Sequence, residues 1–220
     1  MSRAAILQRL IEIGVVPVVR TPSAETAIRA VDALWKGGVA CAEITMTVPG
    51  ALKAIEKVAD ELGDKILLGA GTVLDPETLR AAQLAGARFF VTPNLRVSCM
   101  EVAHRYSMPI MPGALTPTEV ITAWESGADI VKVFPAGNVG GAKYIKALKG
   151  PFPQVEMIPT GGVSLETAAD FLRAGSCAIA VGGELVSAAA LKANDYAFIE
   201  NTARQFVEIV QKTRSELSGS

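Results

Sequence analysis

The sequence predicts an α/β fold, a (β/α)8 TIM barrel with an extra N-terminal helix, and three observations predict it. Short β-branched apolar runs alternate with longer amphipathic segments along the whole chain. The alternation recurs eight times in units of about 25–30 residues, the pattern of a parallel sheet closed on itself. No linker or shift in composition divides residues 1–220, so the chain reads as a single domain. An open doubly wound sheet is the other parallel arrangement. The absence of a GxGxxG after the first strand counts against its dinucleotide-binding form.

Taken in order, the opening MSRAAILQRLIEIG reads as an amphipathic helix with Ile6, Leu10 and Ile13 on one side. It has neither the long apolar stretch nor the small-residue cleavage site of a signal peptide. Strand candidates then follow as VVPVVR (15–20), CAEITM (41–46), ILLGA (66–70) and RFFVTP (88–93). Four more are PIMPG (109–113), IVKVFP (130–135), EMIPTG (156–161) and AIAVGG (178–183). The segments between them have helical spacing, as with Ala27, Val31 and Leu34 in SAETAIRAVDALWKGG. Ser23 with Thr26, Asp75 with Thr78, and Ser164 with Thr167 mark helix starts. Gly37–Gly38, Gly86, Gly127 and Gly175 mark helix ends.

Composition narrows the function. Hydrophobic residues make up 50% and charged residues 20%, enough for a large core, and no apolar run reaches the roughly 18–20 residues of a membrane span. With 21 basic and 22 acidic side chains there is no field to attract nucleic acid or an anionic membrane. Cys41, Cys99 and Cys177 are odd in number and widely separated, which argues for a reducing cytoplasm and against a disulfide framework. Cys41 and Cys177 lie in apolar runs and read as buried small residues rather than nucleophiles. A single histidine, His104, reads as a helix-surface residue and excludes His-rich metal sites.

Two charges stand where apolar residues belong. Of the ten lysines, nine fall in helical stretches or loops; Lys132 falls inside IVKVFP. A strand of a parallel sheet is buried on both faces, so its ammonium must be paired, reach solvent, or lose its proton more easily than usual. In the last case it is a nucleophile for carbonyl compounds. Glu43 is the only carboxylate in CAEITM and reads either as a structural partner or as a general acid/base. Arg20 ends the first strand, where it can pair with Glu43 or bind an anionic substrate group. Thr72 follows the third strand, and Pro93 and Asn94 follow the fourth. Thr160, Gly161 and Gly162 follow the seventh strand, and Gly182 and Gly183 follow the eighth. Barrels often bind anions there, on backbone N–H groups at helix starts.

Together these residues resemble the class I 2-keto-3-deoxy-6-phosphogluconate aldolases and their 4-hydroxy-2-oxoglutarate aldolase relatives. The resemblance runs nearly end to end through VVPVVR, AEIT with TVPGA, GAGTV, TPN, MPGALTPTE, VKVFPAG, KALKGPFPQVEMIPTGGV and VGGELV. It implies that Lys132 forms the Schiff base and that Glu43 moves the protons. It implies that Arg20 and Thr72 lie near the keto-acid carboxylate and that Pro93 and Phe134 wall the pocket. Thr160, Gly161, Gly162 and Gly183 would cradle the far end of the substrate. It further implies no metal or cofactor, small-molecule 2-keto acid and aldehyde substrates, and a homotrimer. The chain departs from the family pattern at two places. Thr47 stands where many members carry an arginine, and Gly183, followed by Glu184, stands where a serine is usual. A Glu184 carboxylate facing the site would disfavour a phosphate dianion, so an aldolase for an unphosphorylated 2-keto-3-deoxy sugar acid is an alternative, beside a sugar-phosphate isomerase or epimerase and a non-catalytic assembly subunit. For the latter, Trp35, Trp124 and Tyr144 are candidate contacts.

Overall fold

The computed structural model describes residues 1–219 and has a mixed α/β fold. In chain order, α1 (Arg3–Ile13), β1 (Val15–Val19), α2 (Ala24–Lys36), β2 (Cys41–Thr45), α3 (Ala51–Leu62) and β3 (Leu67–Gly71) come first. Next are α4 (Pro76–Leu84), β4 (Phe89–Val91), α5 (Val97–Arg105), β5 (Ile110–Met111), β6 (Gly113–Ala114), α6 (Pro117–Glu125) and β7 (Val131–Val133). The last are α7 (Ala142–Lys149), β8 (Met157–Pro159), α8 (Ala168–Arg173), β9 (Ile179–Val181), α9 (Ala188–Ala193) and α10 (Tyr196–Ser218). Six strands form a curled parallel sheet in the order β5-β4-β3-β2-β1-β9, and three more form a second sheet, β6-β7-β8.

The expected fifth strand is divided in two. β5 pairs with β4 and β6 with β7, and Pro112 stands between them. A proline ring has no N–H to give to a ladder, so pairing cannot run through it unbroken. Its carbonyl still accepts from Lys132 N at 2.9 Å. The helical stretch after the last strand is divided too. Asn194 takes a left-handed φ of 55° that ends α9, and Asp195 caps α10 by accepting from Phe198 N.

The helix-start signals hold at two of three places. Ser23 and Asp75 accept from the backbone of Thr26 and Thr78. At the third the roles are reversed: Thr167 Oγ1 accepts from Ser164 N in a turn, and α8 begins only at Ala168. All five residues of β1, β2 and β3 are buried. Covered on both faces, such strands need unbroken apolar runs, and each large side chain removed from water stabilises by ~1.5–3 kcal/mol.

Ile6 and Leu10 bury the inner stripe of α1. Arg214 on α10 donates to the carbonyls of Glu12 and Ile11, orphan groups at the C-terminal end of α1, and to that of Cys177 before β9. Trp124 and Tyr144 pack against the core, and Lys65 stands over the Trp35 ring. His104 is half-buried rather than fully exposed; its Nε2 lies 2.9 Å from the Gly127 carbonyl at the end of α6. Among the described residues, no helix is long and apolar enough to cross a membrane.

Candidate active site

The polar residues set apart in the sequence converge at the carboxyl ends of the strands, where they line a cavity of about 630 Å³. Arg20 enters from just beyond β1, Thr72 from beyond β3 and Pro93 from beyond β4. Lys132 and Phe134 come from β7 and the residue after it. The loop after β8 contributes Thr160, Gly161 and Gly162, and the loop after β9 contributes Gly182 and Gly183. Placement at strand ends is the rule for sites on parallel sheets.

Lys132 lies in register with Gly113 on one side and Ile158 on the other, between the fully buried Val131 and Val133. It is itself 5% exposed, and it takes part in none of the ion pairs among the described residues. Its Nζ stands 5.2 Å from the centre of the Phe134 ring, a cation–π distance. The amine therefore reaches the cavity with no carboxylate bound to it.

Glu43 is the one expected site residue that does not line the cavity wall. It is 1% exposed, and neither carboxyl oxygen has a hydrogen-bond partner among the described residues. Burial raises its pKa, and the positive charges of Lys132 and then Arg20 oppose that rise. The carboxyl fits because its neighbour on the next strand is Gly71, where a Cβ would overlap it. Glycine inside a strand marks such a close approach. Gly71 is thus a site residue that sequence reading passed over within GAGTV.

Thr72 follows at once with a left-handed φ of 54°. A β-branched residue in that region is strained, by roughly 1–3 kcal/mol, and such strain collects at sites. Thr160 is buried, and its hydroxyl, with almost no exposed surface of its own, has no partner among the described residues. Thr47 is not in the wall; its hydroxyl lies 2.8 Å from that of Thr45.

The glycine loops differ from expectation in one respect: they are not helix starts. α8 begins six positions after Gly162 and α9 five after Gly183, by subtraction of their numbers, because turns intervene. The backbone itself presents the donors instead. Gly161 and Gly162 take φ of 84° and 76°, open only to glycine at low cost. The N–H groups of Gly162 and Gly183 have no backbone partner among the described residues. Gly162 also packs so closely on Gly137 that a Cβ would stand 2.7 Å from its Cα. Glu184 also reaches the cavity.

Other candidate chemistry falls away. Burial raises the pKa of all three cysteines, that of Cys99 to about 11 and Cys177 to about 12, so none is a ready thiolate. Among the described residues, no group of three or more His, Cys, Asp or Glu is arranged to hold a metal.

Comparison with known proteins agrees with this geometry. A family model described as KDPG and KHG aldolase matches residues 6–202. The KHG/KDPG aldolase of Escherichia coli K12 is 39% identical over 194 residues, which cover 88% of this chain and 91% of that one. A solved KDPG aldolase from Legionella pneumophila, with pyruvate captured as a covalent carbinolamine intermediate, superposes with a TM-score of 0.84 at 29% identity. That match covers 93% of this chain and 97% of the other. A cube-shaped cage designed by fusing symmetric oligomeric domains superposes with a TM-score of 0.85 at 30% identity, covering 94% of this chain and 75% of the other. The chain belongs to the KDPG and KHG aldolase family.

Proposed function

We propose that this chain is a class I aldolase. It cleaves a 4-hydroxy-2-keto acid, of the 2-keto-3-deoxygluconate type with or without its 6-phosphate or of the 4-hydroxy-2-oxoglutarate type, to pyruvate and an aldehyde. The observation that carries the reading is Lys132, an ammonium side chain buried in β7 without an ion-pair partner and opening on a cavity.

In this reading the neutral amine of Lys132 adds to the C2 carbonyl, giving a carbinolamine. Loss of water, with a proton supplied by Glu43, leaves an iminium. The iminium draws in the electron pair of the C3–C4 bond as the C4 hydroxyl gives its proton to the Glu43 carboxylate, so an aldehyde departs and an enamine stays. Glu43 returns a proton to C3, and water then hydrolyses the iminium to free pyruvate and Lys132. A carboxyl whose pKa is raised by burial holds a proton to give near neutrality and can take it back. Arg20 and Thr72, beyond the ends of β1 and β3 on either side of β2, hold the keto-acid carboxylate. Pro93 and Phe134 confine the reacting carbons, and Thr160, Gly161, Gly162 and Gly183 receive the far end of the substrate.

The same reading takes residues 1–220 as one domain and the two sheets as a closed (β/α)8 barrel. Support comes from the single residue between β5 and β6 and from the parallel bridge between Thr160 and Ala180 beside β8 and β9. It also takes the working unit as a cytoplasmic homotrimer. The matching designed cage, which is made from symmetric oligomeric domains, favours self-association. No metal or cofactor enters the chemistry. The test is pyruvate release from 2-keto-3-deoxygluconate, its 6-phosphate and 4-hydroxy-2-oxoglutarate, followed in the presence and absence of EDTA. Release from any of them at the same rate in both conditions supports the reading, and no release from any of the three overturns it.

A further inference from the structure

The cavity's two ends differ in charge. Its charged lining residues are Arg20, Lys132 and Glu184. The two positive groups belong to the end where the keto acid reacts. In the loops 160–163 and 182–188, which form the other end, Glu184 is the only charged residue. Its carboxylate makes no hydrogen bond or ion pair among the described residues. Beside it, Gly182 and Gly183 leave open space where a side chain would stand. The far end therefore offers an unpaired acceptor, Glu184, next to unpaired donors, the N–H groups of Gly162 and Gly183.

A phosphate dianion has only acceptor oxygens. It can use the N–H groups but meets Glu184 as a like charge, with no proton to give it. A hydroxyl group can donate to the carboxylate and accept from an N–H at once, so a chain of hydroxyls satisfies both sets. We propose that Glu184 is a specificity-determining residue that favours substrates whose far end is an uncharged polyol, an unphosphorylated 2-keto-3-deoxy sugar acid, over those ending in phosphate or carboxylate. The inference rests on the aldolase reading and selects among the acids that reading allows.

The test compares kcat/KM for 2-keto-3-deoxygluconate and its 6-phosphate, in the parent chain and in Glu184→Gln and Glu184→Ala. The expected result is a parent preference for the unphosphorylated acid that shifts toward the phosphate in both variants, by on the order of tenfold. A parent preference for the phosphate, or a ratio changed by less than about twofold in both variants, overturns the proposal. Raising ionic strength should narrow the parent's discrimination if a charge is the cause. Exchange of the pyruvate methyl protons with D2O by the parent chain is run alongside. That half-reaction does not involve the far end. Its absence would defeat the aldolase reading itself, whereas its presence with an unmoved ratio defeats only the role of Glu184.

Discussion

The inner and outer ends of the cavity are built differently. The inner end stands on strands: Lys132 within β7 and Glu43 within β2, each held by buried neighbours on both sides. The outer end stands on glycine loops after β8 and β9, with backbone donors and one exposed carboxylate. Strand positions fix a reacting atom tightly, and the burial around Glu43 raises its proton affinity. Loop positions carry little of the fold, so they can set what the substrate carries at its far end without disturbing the bond-breaking step.

This contrast predicts graded effects of substitution. Lys132→Arg keeps a charge but removes the amine that can form an imine, so turnover should fall by on the order of 10⁴-fold or more, read by pyruvate release. An isomerase-like use of the cavity would instead tolerate the change. Glu43→Gln should lower kcat by ~10²–10⁴-fold while leaving pyruvate adduct formation on Lys132 detectable, though slower. Gly71→Ala attacks the same carboxyl from the neighbouring strand. The added Cβ must displace it, at a cost of about 1–3 kcal/mol of stability and with a loss of kcat larger than any change in KM. The outer-end counterpart is Glu184→Gln, whose expected effect is on the substrate ratio described above.

The smallest effect concerns stability. Because burial raises the pKa of Glu43, the folded chain holds that proton more tightly than the unfolded chain does. Its contribution is therefore present at acid pH and is lost as pH rises through the folded value. Glu43→Gln removes that loss. The variant's Tm should exceed the parent's at neutral and alkaline pH, by about 2–4 °C for each kcal/mol relieved, and the gain should vanish in acid. An equal Tm difference at every pH would show that the carboxyl's charge is not the cause.

Much of the inner end was legible in the sequence because a charge inside an apolar run is conspicuous in one dimension. Lys132 and Glu43 could be picked out that way, and the eight apolar runs located the strands. What the sequence did not reveal depends on contacts between elements. Gly71 looks like any strand-end glycine until β2 lies beside it and the Glu43 carboxyl fills its missing Cβ. The break at Pro112 was masked because PIMPG carries a continuous apolar pattern, and only its pairing with two different strands shows the division. The glycine loops suggested helix starts, and turns of several residues separate them from α8 and α9. Glu184 was visible as a departure from a family pattern, but its access to the cavity is a three-dimensional fact.

The central claim is that a buried strand lysine is the nucleophile. It is tested most directly by incubating the chain with pyruvate, reducing with borohydride and locating the modified residue by peptide mass spectrometry. The account predicts one reduced pyruvate adduct per chain, on Lys132, absent without pyruvate. An unmodified Lys132 under those conditions, or an adduct on any of the other lysines, would contradict it.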